Sequence, residues 1–209
     1  MAKPPRKTSR KKRGRKPDAD RTTPHAVPID LSDTSGSLGR TDYRNIFIVF
    51  AVALLLRLIF FFLYKHNNPL FYYPIMDAKY HHEWALEILS GNFWGNDVFF
   101  RAPLYPYLLA LLYKISGTSI AFAIFFQQII GTGTAVLVYL LSRQFFVPRV
   151  SLLAGVLAAL YWPSIYFEGD LLIVTLIVSL DVLALILLVK WMRNGRTGLA
   201  VAAGLVLGL

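Results

Sequence analysis

The chain of 209 residues contains no cysteine, which excludes disulfide bonds and thiol chemistry within it. Charged residues are also scarce: they make up 16% of the sequence, whereas hydrophobic residues make up 56%. A soluble domain of this size would place polar residues at regular intervals along each helix, and most of this sequence has no such alternation. The composition therefore excludes an ordinary soluble protein and indicates a membrane protein.

Five apolar runs contain most of the hydrophobic residues. They cover 45–64, 119–141, 151–167, 171–189 and 197–209. The first four are about 17–23 residues long, and a helix of that length crosses a hydrocarbon core about 30 Å thick. Backbone groups inside lipid must bond within their own segment, so we predict an all-α polytopic membrane protein built as a transmembrane helix bundle.

The last run, 197–209, is too short to span a membrane. It predicts that the chain is the N-terminal part of a longer protein, and that these residues alone would not carry its activity. A cleavable signal peptide is not expected, because the basic N-terminal region is too long and the first apolar run lacks a small-residue cleavage site.

Residues 1–44 differ from the rest of the chain. The first 16 residues contain nine Lys or Arg and no acid, and Pro, Ser, Thr, Asp and Gly are frequent in the remainder. A segment of this composition cannot bury enough apolar surface to fold, so we predict a disordered tail. Its charge would also fit nucleic-acid binding, but a basic segment before a first span is typical of a cytoplasmic N-terminus beside anionic lipid. We therefore expect the lipid bilayer, and no nucleic acid, as its partner.

The basic residues between the apolar runs predict the topology. With the N-terminus inside, 45–64 leads outward, and the question is whether 103–117 also crosses. This segment is about 15 residues long, begins with two prolines and carries Lys114, which disfavours a crossing. If it stays in an outer loop, 65–118, with interfacial helices, every basic loop is cytoplasmic, as the positive-inside rule requires. The loop residues then predicted to be cytoplasmic are Arg143, Arg149, Lys190, Arg193 and Arg196.

The stretch 77–107 contains the densest group of chemically versatile side chains. It places an acid, two histidines, a tryptophan and an Arg-Ala-Pro element between predicted spans. Residues 77–90 predict a short amphipathic helix, because Tyr80, Trp84 and Ile88 recur at a spacing of four. Such a helix would lie in the membrane interface, with its apolar stripe in lipid or against the spans.

Asp77 opens this predicted helix and has two compatible interpretations. Asp is favoured at a helix N-cap, and a capped carboxylate stays ionised and can act as a general base. His81 follows one turn later, so both side chains could face one ligand or one divalent cation. Two donors do not make a metal site, so no metal site is predicted and a divalent cation stays an open alternative.

Three further charged residues are candidates for contact with a ligand. Arg101 precedes a proline-rich segment and could pair bidentately with a phosphate; its alternative is a structural or snorkelling arginine. Glu168 and Asp170 share a short outer turn, where they could contact a ligand, mark the water boundary or cap the next span.

Polar residues inside the predicted spans are expected to face the interior of the bundle, because they are costly in lipid. These residues are Arg57, Gln127, Gln128 and Asp181. Arg57 and Asp181 have opposite charges, and we predict that they pair for structural reasons.

The order of these elements resembles the membrane glycosyltransferases of the C-type superfamily. A first span is followed by DAKYHHEWALEILSG, then by FFRAPLYPYLLALLYKISG, and then by an apolar segment that ends in YLLSRQFF. The branch that looks most similar contains the dolichyl-phosphate-mannose protein mannosyltransferases and the bacterial aminoarabinose transferases. The resemblance covers residues 45–190 and implies a multi-pass protein of a bacterial inner or plasma membrane.

The resemblance implies roles for the candidate residues. Asp77 corresponds by position to the catalytic acid of the first outer loop, and Arg101 to a basic residue that contacts a lipid phosphate. Many relatives have Lys before two adjacent prolines and a pair of acids at the catalytic position, whereas this chain has Arg-Ala-Pro and a single acid followed by Ala78. The other side chains expected to contact substrate are Tyr80, His81, Glu168 and Asp170.

The implied reaction moves a sugar from a polyprenyl-phosphate donor to a protein, lipid or glycan acceptor on the non-cytoplasmic face, with inversion. Sugar nucleotides are not normally present on that face, which agrees with a lipid-linked donor. Two other functions stay open. A transporter or flippase of lipid-linked material would place its ionisable groups at mid-membrane, and a non-catalytic subunit of a membrane assembly would not need Asp77 and Arg101.

Overall fold

A computed structural model of the chain describes residues 38–94 and 101–208, in which eight helices and no strands occur. Three of the helices, α1, α4 and α7, are long and apolar enough to cross a membrane. The predicted all-α membrane fold is therefore confirmed. In chain order the helices are α1 Arg40–Asn67, α2 Met76–Leu89, α3 Leu104–Ser116, α4 Ile120–Ser142, α5 Pro148–Ala159, α6 Trp162–Phe167, α7 Val174–Asn194 and α8 Thr197–Leu207.

Helix α1 begins before the predicted first span. Its first residue is Arg40 rather than residue 45, so residues 40–44, which were predicted as the end of the tail, are helical. The Asp42 carboxylate accepts the backbone N–H of Gly39 at 3.0 Å, which satisfies one donor at the start of the helix. The predicted tail before residue 38 lies outside the described residues.

The predicted span 151–167 is divided between two helices. Helix α5 ends at Ala159, and α6 begins at Trp162 with Pro163 in its first turn. Proline has no N–H to donate and its ring clashes with the carbonyl four residues earlier, so one helix cannot continue through this position without distortion. Proline is well tolerated in a first turn, which is where the structure places it.

Helices α1 and α4 run antiparallel, which defines two ends of the bundle. At the first end, the carboxylate of Asp42 near the start of α1 accepts hydrogen bonds from Tyr139 Oη and Arg143 Nε, both at 2.6 Å, near the end of α4. Gln144 donates to the carbonyl of Ile186 on α7 at 3.4 Å, so the C-terminal part of α7 also lies there. We call this the Asp42 end.

The second end carries α2, α3 and the turn 168–170, and we call it the Asp77 end. The Tyr64 hydroxyl near the end of α1 donates to Asp170 Oδ1 at 3.0 Å. Helix α3 has 13 residues and ends at Gly117, whose φ of 68° is left-handed and suits glycine at this position. Because α4 then returns to the Asp42 end, the segment 68–119 connects two spans at a single end.

Helices α2 and α3 pack against each other through the predicted apolar stripe of α2. Trp84, Ala85 and Ile88 are buried in one cluster with Leu109 and Tyr113 of α3. The stripe therefore faces protein rather than lipid. Tyr80, which was predicted to share it, is partly exposed at its edge and touches the Trp84 ring at 5.7 Å between centroids.

A buried ion pair joins α1 to the end of α6. Arg57 donates from Nε and Nη2 to the two carboxylate oxygens of Glu168, at 2.7 and 2.8 Å. The predicted pairing of Arg57 with Asp181 was wrong, because Asp181 lies exposed on α7. Gly131 makes room for Glu168: a Cβ at position 131 would lie 2.2 Å from the carboxylate.

Candidate functional site

Asp77 and Arg101 are in direct contact at the Asp77 end. The sequence predicts a different chemical role for each of them. Arg101 Nη2 donates to Asp77 Oδ1 at 2.9 Å. Asp77 lies in the first turn of α2, and Arg101 lies two residues before Pro103, the N-cap of α3. The side chains are 56% and 32% exposed, so the pair is accessible to a ligand.

The structure does not support the capping interpretation of Asp77. Helix α2 starts at Met76, its N-cap is Ile75, and no side chain caps it. The carboxylate of Asp77 points instead to Arg101. Met76 has a φ of 51°, which is uncommon for a residue other than glycine, so the backbone immediately before Asp77 adopts a strained conformation.

The ion pair also determines the charge of both groups. The hydrogen bond from Arg101, followed by the charge of that residue, holds the pKa of Asp77 below its ordinary value despite some desolvation. The same contact raises the pKa of Arg101. Asp77 is therefore ionised at neutral pH and can accept a proton, while Arg101 keeps its full positive charge.

Tyr80 lies beneath the guanidinium of Arg101. The distance from the central carbon of Arg101 to the ring centroid of Tyr80 is 5.5 Å, within the range of a cation–π contact. The aromatic face helps to hold the guanidinium in place above α2. Tyr80 therefore contacts Arg101, the residue predicted to bind a phosphate.

The two histidines lie on the protein side of α2. His81 is fully buried, and its ring packs edge-on against Tyr105 at 5.0 Å between centroids. Neither ring nitrogen has a hydrogen-bond partner among the described residues, and burial lowers the pKa of His81, so the ring is neutral at physiological pH. His82 Nδ1 lies 2.7 Å from the hydroxyl of Tyr113. His81 is therefore placed to support α2 rather than to reach a ligand.

A cavity of about 510 Å³ lies beside the ion pair. Two carboxylates, Asp77 and Asp170, lie on its wall, together with Tyr64, Tyr73 and Tyr166. Aromatic faces and carboxylates are the groups that bind the apolar faces and hydroxyls of sugars, and this volume is within the range of small-molecule sites.

Glu168 and Asp170 have different environments although they are two residues apart. Both carboxylate oxygens of Glu168 are bound by Arg57, and Ser164 donates to one of them at 2.8 Å. Glu168 is 1% exposed, so its predicted contact with substrate does not agree with its position. Asp170 is bound by Tyr64 and faces the cavity.

Asp77 and His81 were considered above as two donors to one metal ion, but their side chains do not point to a common position. Within residues 38–94 and 101–208, no group of three or more His, Cys, Asp or Glu side chains could hold a metal ion. The Asp77 carboxylate turns toward Arg101 and the His81 ring toward Tyr105.

Three residues at this end of the bundle were not predicted as parts of the site. Tyr64 binds Asp170, and Gln127 connects Tyr105 to the turn 168–170. A tyrosine at the end of a span is typical of the membrane interface, so the sequence gives no signal for Tyr64. Gln127 was detectable from the sequence. Together with Gln128 it was predicted to face the bundle interior, and the burial of both residues confirms this.

Comparison with known proteins gives one family match. A model of the dolichyl-phosphate-mannose-protein mannosyltransferase family matches residues 101–209. The matched region starts at Arg101 and includes the turn with Asp170, whereas Asp77 and α2 precede it. No curated protein and no solved structure matches the chain significantly.

Proposed function

Because this chain belongs to the dolichyl-phosphate-mannose-protein mannosyltransferase family, we propose that it transfers a sugar from a polyprenyl-phosphate donor to an acceptor at the Asp77 end. The family indicates a membrane glycosyltransferase of the mannosyltransferase type. The observation that carries the finer proposal is the contact between Asp77 and Arg101 beside a cavity that also contains Asp170. This contact supports the proposal, because it brings together a carboxylate that can accept a proton and a guanidinium that can bind a phosphate.

The proposed reaction is a single displacement at the anomeric carbon. The acceptor oxygen attacks that carbon while its proton moves to the Asp77 carboxylate. The bond from the anomeric carbon to the phosphate oxygen breaks, and its electron pair leaves with the polyprenyl phosphate. Arg101 stabilises the charge that develops on the phosphate. One displacement of this kind inverts the anomeric configuration.

The ion pair in the free protein makes the two roles interdependent. A carboxylate whose pKa is lowered by a guanidinium is a weaker base than a free one. When the donor phosphate attracts Arg101, the pKa of Asp77 rises toward its ordinary value, and the carboxylate becomes a better proton acceptor. Arginine has five N–H donors, so it can contact the phosphate without leaving Asp77 completely.

The direct test is a donor panel. The complete protein in membranes is supplied with polyprenyl-phosphate sugars and, separately, with the corresponding nucleotide sugars, and transfer to endogenous acceptors is measured by mass spectrometry. We expect transfer from a lipid-linked sugar. Transfer from nucleotide sugars alone, with lipid carrier synthesis blocked, would contradict the proposal.

Arg101→Ala is expected to weaken both donor binding and turnover, because a charge-assisted phosphate contact acts in the ground state and in the transition state. Arg101→Lys should restore part of each, since lysine supplies a charge without the bidentate fork. The measurement is KM and kcat for the lipid-linked donor. An unchanged KM and kcat in a folded Arg101→Ala variant would remove this residue from the site.

The Asp42 end is proposed to face the cytoplasm, since Arg143, Arg149 and Arg193 lie there. Single cysteines at Ser142 and Asn194 should then be protected from an impermeant maleimide in intact cells. The absence of native cysteine gives no background within the chain. A cysteine at Glu83, which is exposed on α2, is the positive control. Labelling at 142 or 194 but not at 83 would reverse the orientation.

A further inference from the structure

Gln127 is a buried amide whose nitrogen and oxygen both make hydrogen bonds at the Asp77 end. It lies on α4 and is 2% exposed. Its Nε2 donates to the backbone carbonyls of Asp170 at 2.7 Å and of Glu168 at 3.2 Å. Its Oε1 accepts the hydroxyl of Tyr105. A buried amide is stabilising only when its groups are paired, and here each is paired with a different element.

Tyr105 extends this connection to the Asp77–Arg101 pair. It is the second residue of α3, four positions after Arg101, and is 2% exposed. Its ring contacts His81, which follows Asp77 by one helical turn. Gln127 therefore links the unit that carries Asp77 and Arg101 to the turn that carries Asp170.

The neighbouring amide provides a comparison within the same helix. Gln128 is 1% exposed, but in the described part of the chain its side chain makes one hydrogen bond, at 3.4 Å to the carbonyl of Ile165, and its Oε1 has no partner there. Both residues are buried amides in α4, and Gln127 is the one that contacts the turn with Asp170 and also Tyr105 of α3. Comparing variants of the two residues therefore distinguishes the effect of burying an amide in α4 from the effect of the specific hydrogen bonds that Gln127 makes.

We propose that Gln127 is a positioning residue that sets the separation between the Asp77–Arg101 pair and Asp170 across the cavity. It touches neither donor nor acceptor, and acts by holding Tyr105 and the turn 168–170 in register. The inference rests on the proposed transfer reaction. Reacting groups must be held closely, and a displacement of about 1 Å can lower a rate by about 100-fold.

The kinetic test replaces Gln127 with an apolar residue of similar size. Gln127→Met should lower kcat by about 10–100-fold, the scale of a small displacement, with the donor KM changed less than about threefold because Arg101 is retained. Gln128→Met should keep kcat within about threefold of wild type. Tyr105→Phe, which keeps the ring on His81, should lower kcat less, and combining it with Gln127→Met should add little, since the two act as one unit.

Gln127→Glu adds a readout that a general loss of packing would not give. The ionised carboxylate would face two carbonyl oxygens, whereas the protonated acid can donate to Asp170 and accept from Tyr105. Turnover relative to wild type should therefore recover as the pH is lowered. A pH-independent ratio would contradict the assignment.

A measurement without turnover distinguishes the two levels of the proposal. Spin labels on cysteines at Lys79 of α2 and Val174 of α7, both exposed, report the distance between the two walls. We expect Gln127→Met to shift or broaden this distance distribution and Gln128→Met to leave it unchanged. If both leave it unchanged, the positioning role fails even if transfer is confirmed. If no transfer from a lipid-linked sugar is detected while Gln127→Met broadens the distribution and Gln128→Met does not, the proposed function fails and the structural link stands.

Discussion

The Asp77→Asn variant is expected to transfer sugar about 100-fold more slowly than the wild type or worse, which is the usual range for loss of a general base. Asn keeps the size of the side chain and can accept a hydrogen bond from Arg101, so folding and donor binding should be largely kept. The amide cannot take the acceptor proton. The measurement is single-turnover transfer in membranes at saturating lipid-linked donor, with thermal unfolding as a check of the fold.

Glu83→Gln is the matched control for this substitution. Glu83 is a carboxylate on the same helix, is exposed, and lies 3.6 Å from Lys79 Nζ, where an exposed pair contributes little. Its turnover should equal that of the wild type. Near-normal transfer by a folded Asp77→Asn variant would exclude Asp77 as the base and move the assignment to Asp170, the second carboxylate of the cavity.

The pH profile provides a second signature of the same group. A protonated Asp77 cannot accept a proton, so kcat/KM should fall as the pH drops through the pKa of Asp77 in the free protein. Because Arg101 lowers that pKa, the acidic limb should lie below the ordinary carboxyl range. Arg101→Ala should move the limb upward. A limb in Arg101→Ala at the wild-type position would show that another group controls it.

Breaking the buried ion pair is expected to have the largest effect on stability. Glu168→Gln keeps the shape of the side chain but leaves the charge of Arg57 uncompensated in the bundle, where both side chains are 2% exposed. Removing one partner of such a pair costs about 3–5 kcal/mol. The measurement is the shift of thermal or denaturant unfolding in detergent or lipid nanodiscs.

The double variant Arg57→Met/Glu168→Met is the control that separates charge from packing. Replacing both partners of a buried pair by apolar residues is often neutral, so it should recover most of the loss. A double variant as unstable as Glu168→Gln would assign the effect to packing instead.

Substitution of Gly131 tests how closely the Glu168 carboxylate packs against α4. Gly131→Ala should destabilise the protein, because the new Cβ would overlap the Glu168 carboxylate. Gly133→Ala is its match on the same helix, since a Cβ there meets nothing within 4 Å in the described residues. Equal stability of the two variants would contradict the close packing of Glu168 against Gly131.

Periodicity and charge were enough to predict the long elements of this fold. The apolar runs located α1, α4 and α7 within a few residues, and the spacing of Trp84 and Ile88 identified α2. The break between α5 and α6 was missed because the apolar run continues through it, although Pro163 marks the position. A hydropathy profile does not register that proline lacks a backbone N–H donor. This missing donor is what divides the segment into two helices.

Pairings across the bundle were less predictable. Opposite charges in two spans suggested Arg57 and Asp181, yet the partner of Arg57 is Glu168, which the sequence placed in an outer turn. The sequence shows which residues are charged, but not how deeply each one lies in the bundle. Because α6 is short and Gly131 leaves space, Glu168 reaches into the bundle. Similarly, Asp77 and Arg101 could be given separate roles, but their contact depends on how α2 packs against α3.

The buried ion pair also has a consequence for biogenesis. Arg57 and Glu168 are 111 positions apart in the chain, so at about 5–20 residues per second the carboxylate is synthesised roughly 6–22 s after the arginine. During this interval α1 holds an arginine at a cost of about 2.5–3.5 kcal/mol on the translocon scale, which its long apolar sequence offsets. The ion pair that holds Arg57 within the bundle is therefore expected to form only after α6, a helix of six residues, has been synthesised, so the first span must stay in the membrane without its partner until then.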